Sequence, residues 1–212
     1  MSTPTEDSNP RRLFARGCSI IGHPLIVLPL STLSTMARHQ RPEWWPTLLA
    51  FIMVGGLVTL FSVLRVHSGQ WRHADASLPV ERRELHRFMF PILLIGSTTA
   101  ALGCQQWVIA LGMAAAASVV LQAKLALSWL KISHHMAFAT LACVLQGPYL
   151  PGLAVGLALL ALIGWSRVEL GRHSATEVWA GFAAGLVASF LFWVGLHQAL
   201  TATLIAPTAP LK

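Results

Sequence analysis

One histidine and one carboxylate stand out among the residues that could do chemistry. His173 and Glu177 are four residues apart, so on a helix they lie on the same face. A carboxylate there can accept a hydrogen bond from one imidazole nitrogen, which fixes the tautomer and leaves the other nitrogen as a base or nucleophile. Ser174 and Glu177 also fit the capping-box pattern, in which the carboxylate only caps a helix. The spacing leaves both roles open, and they can be combined.

A second polar segment, residues 131–135, precedes an apolar run. Ser133 can be the N-cap of a helix whose free amides and dipole form an anion site, beside the positive charge of Lys131. In the alternative, Ser133 is an ordinary cap and Lys131 only reaches toward the membrane surface. The adjacent His134 and His135 favour a functional site, because ionisable groups at the end of a membrane span are costly.

The densest cluster of charges lies in residues 71–84. It can be a solvated loop with helical ion pairs. It can equally supply arginines for phosphate, because a guanidinium presents a planar fork of donors. The candidates are Arg82, ahead of Arg83, together with Asp75.

The elements that must position these residues are membrane helices. Hydrophobic residues make up 55% of the 212-residue chain and charged residues only 11%, against about 25% in a typical soluble domain. So few charges could not cover a soluble surface, so lipid is the expected solvent. The formal charge of +7 comes from Lys and Arg clustered between apolar runs, which indicates membrane flanks and no nucleic-acid partner. The three cysteines fit neither a disulfide set nor a zinc site.

The hydropathy pattern predicts an all-α membrane bundle of six or seven transmembrane helices. We expect a polar tail at 1–17, two N-terminal spans within 18–64, a core at 65–203 and a C-terminal tail at 204–212. A tight turn at 147–152 should join two short spans into a hairpin. The predicted spans are 18–36, 44–64, 88–104, 107–130, 134–147, 150–166 and 177–203.

The three polar segments should meet at one membrane face. An even number of predicted spans separates residues 65–87, 131–135 and 167–173 from one another. The two turns on the opposite side, near residues 104 and 148, carry no charged side chain or histidine. This asymmetry predicts one polar site at one end of the bundle.

The three polar segments together resemble the motifs of a known family. Ser166-Arg167, followed by His173 and Glu177, resembles the third motif of the type 2 phosphatidic acid phosphatase superfamily, SR-x5-H-x3-D. Ser133-His134-His135 resembles the S-G-H of its second motif, and the resemblance covers residues 65–190. Glu177 stands where the family has Asp, and the usual first motif, K-x6-R-P, is absent. Instead, Asp75 precedes Glu81-Arg82-Arg83, as in a divergent bacterial branch.

The resemblance implies metal-free hydrolysis of a phosphate ester through a phosphohistidine, with no cofactor. It implies that His173 attacks phosphorus, that Glu177 orients its ring, and that His135 protonates the leaving oxygen and then activates water. The implied ligands of the phosphoryl group are the side chains of Arg167, Lys131 and Arg82. The backbone amides that follow Ser133, beginning with that of His134, are implied as further ligands. Asp75 and Arg83 are further first-motif candidates.

The expected substrate is a lipid phosphate or polyprenyl diphosphate. The expected location of the protein is a bacterial inner membrane. The positive-inside rule favours a cytoplasmic site, whereas the family more often places it outside, and both orientations stay open. The alternatives are a non-catalytic or lipid-binding descendant, a lipid phosphotransferase, and a b-type haem protein using histidines such as His23 and His197.

Overall fold

The computed structural model describes residues 9–40, 44–73, 75–76, 78–147 and 149–205, with side chains to residue 201. All regular elements within these ranges are helical. The fourth helix continues into a π-helical segment, Thr99–Gly103. The helices are α1 Pro10–Ile21, α2 Pro24–Arg38, α3 Trp44–His67, α4 Pro79–Thr98, α5 Trp107–Ala126, α6 His134–Val144, α7 Leu150–Glu169 and α8 Ala175–Ile205.

The prediction of an all-helical protein with membrane-spanning helices is confirmed. Five helices in the described ranges are long and apolar enough to cross a membrane, or six if the bent pair α1–α2 counts as one span. The sequence predicted seven apolar spans, one more than these six, because the predicted span at 134–147 corresponds to the short helix α6. That helix has 11 residues and is about 16 Å long, which is too short for a hydrocarbon core of about 30 Å.

The predicted first span, 18–36, is divided into two helices. The α1 and α2 axes differ by 53°. Gly22 ends α1 by donating to the Cys18 carbonyl, and His23 is extended, with its Nδ1 accepting from the Leu25 amide at 3.2 Å. Pro24 lacks an N–H and suits the first position of α2. Because α1 begins at Pro10, the predicted boundary after residue 17 falls inside a helix.

The short helix α6 lies in the core of the bundle and contacts α2, α7 and α8. It ends in a turn at Gly147, where φ is +57°, so a residue without a Cβ is favoured. Pro148, part of the predicted turn, lies outside the described residues. As predicted, α6 and α7 form a hairpin with direct contacts.

Two glycines on α8 allow it to approach the backbone of α6. A Cβ at Gly181 would lie 2.5 Å from the Ser133 carbonyl oxygen. A Cβ at Gly185 would overlap the Ala137 carbonyl oxygen and lie 2.6 Å from the Thr140 Cβ. Close approach through small residues is typical of membrane helix pairs. It places the first turn of α8, with Glu177, beside the start of α6.

We expect Gly185→Ala to lower the free energy of unfolding by about 1–3 kcal/mol, because the methyl group would force α8 away from α6. Gly56→Ala on α3 is the matched control, since its Cβ would enter open space. We expect that control to be neutral or to stabilise by up to about 1 kcal/mol. Unfolding midpoints in detergent measure both, and an unchanged Gly185→Ala midpoint would contradict the close contact.

Candidate active site

The buried His173, in the connection between α7 and α8, forms a dyad with the half-buried Glu177 in the first turn of α8. The His173 Nδ1 lies 2.9 Å from the Glu177 Oε2. The same oxygen accepts from the Ser174 amide at 3.1 Å, and the Glu177 amide donates to the Ser174 Oγ at 3.3 Å. The carboxylate therefore holds the imidazole and also caps α8, so the two roles left open by the spacing are combined.

Arg82 joins all three polar segments. Its guanidinium is buried, and its Nε donates to the Ala76 carbonyl at 3.2 Å. Nη1 donates to the Ile132 carbonyl at 3.0 Å, and Nη2 lies 3.4 Å from the His173 Nε2. Residues from before α4, before α6 and before α8 therefore surround one cation. The neighbouring Arg83 is exposed, so the structure brings Arg82 and not Arg83 to His173.

Glu81 shapes the segment that carries Arg82. This buried carboxylate accepts from the Arg72 amide at 2.8 Å and from the Leu78 amide at 3.0 Å. It therefore caps the start of α4 and fixes the preceding loop. Asp75 in that loop pairs with Arg172 at 3.4 Å, on the exposed side of the site. The sequence placed Glu81 in the charge cluster but did not predict its structural role.

Two polar atoms near the dyad are buried without a hydrogen-bond partner in the described part of the chain. The Arg167 Nε and the Ser133 Oγ have no hydrogen-bond partner among the described residues. Ser133 stands at the N-cap position of α6, but its hydroxyl makes no capping bond, in contrast to the ordinary cap that the sequence left open. A buried polar group without a partner costs about 1–3 kcal/mol, which a bound anion would recover. Arg167 and the N-terminal amides of α6 are suited to bind phosphoryl oxygens.

His135 and His134 point to different surroundings. The His135 ring lies 5.2 Å from the His23 ring, edge to face, and burial and the positive charge of Arg167 lower the pKa of His135 from 6.5 to about 2. The His134 Nε2 instead lies 3.1 Å from the Nε2 of His86 on α4. Adjacent helical residues diverge by about 100°, so the two rings point in different directions. Phosphate binding at His134 stays a prediction, and at this position the backbone amide of the first turn of α6 is the group suited to it.

The electrostatics favour a neutral His173. Burial is the largest cause that lowers its pKa, from 6.5 to about 2. The positive charges of Arg82, Arg167 and Lys131 act in the same direction. Burial and the charge of Arg82 also lower the pKa of Lys131. In the neutral ring, Nδ1 carries the proton shared with Glu177, so Nε2 presents a lone pair beside Arg82.

Ser19 and His23 belong to this neighbourhood, and the sequence did not place them there. Ser19 on α1 accepts a hydrogen bond of 2.7 Å from the Arg167 Nη1. His23, between α1 and α2, contacts the His135 ring. No periodicity links these residues to α6 or α7. The local signal in the sequence is Gly22-His23-Pro24, which indicates a break in the helix.

Comparison with known proteins finds no match: no protein-family model, no curated protein and no solved structure matches this chain. The resemblance of Ser166–Glu177 to a phosphatase motif therefore stays a prediction. The geometry of the dyad and its cations is an independent observation about the same residues.

Replacement of Arg82 by Gln should raise the pKa of His173, because it removes the first positive charge acting on that ring. Nitrogen-15 histidine NMR in detergent, from about pH 8 to about pH 4, measures this against the ordinary value of about 6.5. His173→Gln assigns the signal, and Arg83→Gln is the exposed control. An unchanged His173 pKa in Arg82→Gln would contradict the assigned electrostatics.

The same shift has a consequence for stability. The unfolded chain takes up a proton near pH 6.5 that the folded His173 does not bind. The contribution of this histidine to stability is therefore complete above pH 6.5 and is lost as the pH falls toward about 2. We expect the unfolding midpoint to fall with acidification, and to fall less in His173→Gln.

Proposed function

We propose that this chain is a membrane-embedded phosphatase that hydrolyses a lipid phosphate or diphosphate through a phosphohistidine on His173, without a metal. One observation carries the proposal: the Nδ1 of His173 is held by Glu177 at 2.9 Å while its Nε2 faces the Arg82 guanidinium at 3.4 Å. A nucleophile whose tautomer is fixed by a carboxylate, beside a cation that can hold the electrophile, suits phosphoryl transfer.

In the first step, the Nε2 lone pair of His173 attacks phosphorus and the bond from phosphorus to the leaving oxygen breaks. Burial and the charge of Arg167 lower the pKa of His135 in the unliganded site, so its role as the acid requires the negative charge of the bound substrate to raise that pKa. The protonated His135 then gives its proton to the leaving oxygen, and the product leaves as a lipid alcohol or a lipid monophosphate. Glu177 stabilises the positive charge that develops on the His173 ring, since its carboxylate remains bonded to Nδ1.

In the second step, the neutral His135 takes a proton from water, and the water oxygen attacks phosphorus. The bond from phosphorus to Nε2 breaks, and its electron pair returns to His173. Inorganic phosphate leaves, and His135 is again protonated for the next turnover. A general acid in one step becomes the general base in the other, as microscopic reversibility requires.

The transition state of each step spreads negative charge over the phosphoryl oxygens, so catalysis depends on fixed positive groups. Arg82 and Arg167 are both buried, which strengthens their interaction with an anion. Lys131 lies at the start of the α6 segment, and the first amides of α6 lack intrahelical partners. Together these groups form a cradle for one phosphate.

A lipid substrate follows from the surroundings of the cradle. Helices α4, α7 and α8, which carry Arg82, Arg167 and Glu177, are long and apolar enough to cross a membrane, and the polar groups gather where three of the connections begin or end. We place this cradle at one membrane face, so that the phosphate enters it while the hydrocarbon chain stays in lipid. Phosphatidic acid, phosphatidylglycerol phosphate and polyprenyl diphosphates all fit, in the inner membrane of a bacterium.

We expect phosphate release from a panel of such lipids in detergent, with EDTA present, and a fall of more than about 10³-fold in His173→Ala. His39→Ala, on the exposed end of α2, is the matched control and should keep wild-type activity. Loss of wild-type release on addition of EDTA would contradict the metal-free mechanism. Activity that survives in His173→Ala would contradict the nucleophile.

Trapping separates hydrolysis from the alternatives. Rapid quenching with a phosphorus-32 lipid should leave an acid-labile label on the protein that is absent in His173→Ala and decays more slowly in His135→Asn, which cannot activate water. Transfer of the label to a lipid or sugar alcohol in preference to water would indicate a phosphotransferase. Folded wild-type protein with neither label nor release would favour a non-catalytic descendant.

A further inference from the structure

We propose that the break between α1 and α2 completes this active site: Ser19 positions Arg167, and His23 positions His135. The inference rests on the proposed function, but it adds a segment that the phosphatase-like core, residues 65–190, does not include. Neither residue is assigned to the chemistry, and each acts through the side chain that it contacts.

Ser19 fixes the plane of the Arg167 guanidinium. Its Oγ accepts from Nη1 at 2.7 Å, and both side chains are buried. The Nε of the same guanidinium has no partner among the described residues, so the bond to Ser19 leaves this second donor available for a ligand. The Arg167 carbonyl also accepts from the His173 amide at 3.2 Å. A shift of Arg167 would therefore affect both the phosphate cradle and the nucleophile.

The His23 ring packs against the His135 ring and is itself held in place. The two ring centroids are 5.2 Å apart and the planes meet at 86°. The His23 ring cannot turn freely, because its Nδ1 accepts from the Leu25 amide at 3.2 Å and caps α2. A neutral His23 therefore carries its proton on Nε2. Packing against this fixed ring limits the orientations open to His135.

The break is attached to the two helices that carry these partners. Gly22 lies so close to α7 that a Cβ there would overlap Ile163. Arg11 pairs with Glu169 at 2.8 Å, so α1 is held along the end of α7 that carries Arg167. In its middle, α2 is held to α6, because the Ser31 Oγ donates to the Ala142 carbonyl at 2.5 Å.

A simple membrane span does not account for this arrangement. A straight helix through residues 18–36 would satisfy its own backbone and would need neither a 53° bend nor a buried hydrogen bond from Ser19 to another helix. Kinks in helices have local causes, here Gly22 and Pro24. The result of the bend is that Ser19 and His23 reach two different side chains of one site.

Ser19→Ala should lower kcat about tenfold with little change in KM, because it releases one bond to a charged donor. Ser19→Thr, which keeps the hydroxyl, should recover activity. In an Arg167→Lys background, Ser19→Ala should have almost no further effect, since residues that act through one another are non-additive. Ser97→Ala is the matched control: its hydroxyl joins α4 to the Ala110 carbonyl at 2.8 Å, about 22 Å along α4 from Arg82.

His23→Asn and His23→Ala separate positioning from helix capping. Asn is a good N-cap and keeps the start of α2, whereas Ala removes both the cap and the ring. We expect both variants to lower kcat by a similar factor of about ten, and only His23→Ala to lower the unfolding midpoint. If His23→Asn has wild-type kcat, the positioning role of this histidine is overturned.

Orthovanadate binding provides a readout that does not need turnover. Titration calorimetry in detergent should show weaker vanadate binding in Ser19→Ala than in wild type and Ser97→Ala. If the wild-type protein releases no phosphate but binds vanadate, and Ser19→Ala weakens that binding, the proposed function is overturned and this inference stands. Active protein with unchanged kcat and vanadate affinity in Ser19→Ala would overturn the inference alone. If wild-type protein neither releases phosphate nor binds vanadate, both are overturned.

Discussion

The arrangement of this protein depends on how one buried guanidinium is satisfied. A charge removed from water is tolerated only when hydrogen bonds replace its hydration. Arg82 finds them in the carbonyls of Ala76 and Ile132 and in the imidazole of His173. Each partner belongs to a different connection of the bundle. The single cation therefore fixes three chain segments relative to one another, and the dyad of His173 and Glu177 is positioned by the same constraint.

Helix packing supplies the second condition. The short helix α6 is buried among its neighbours and could not cross a membrane by itself. Its start must lie beside the first turn of α8, and the glycines of α8 allow that contact at the distance of backbone against backbone. The Ser133 amide donates to the Glu177 carbonyl at 3.2 Å, which joins the two helix starts directly. The packing of α8 against α6 in the apolar core therefore also sets the geometry of the polar site.

Local spacing in the sequence was sufficient for part of this result. The pairing of His173 with Glu177 could be predicted because both lie within one helical turn, where the backbone determines the distance. The membrane class followed from composition. The contact of Ser19 with Arg167 joins residues 148 positions apart, and nothing in either neighbourhood specifies it. The segment at 134–147 was predicted to be short, but the end of α6 at Val144 could not be predicted, because hydropathy records apolar character and not where a helix ends.

The charge balance of the site connects its structure to its chemistry. Burial and the charges of Arg82, Arg167 and Lys131 lower the pKa of His173 and keep it unprotonated, as the proposed nucleophile requires. The same cations would oppose positive charge on its ring during the proposed attack. Glu177 on the opposite nitrogen offsets that opposition. A phosphate between the cations and the imidazole would neutralise them when the bond to phosphorus forms. The substrate itself would therefore supply the charge that the unliganded site lacks, and its binding would lower the barrier to its own transfer.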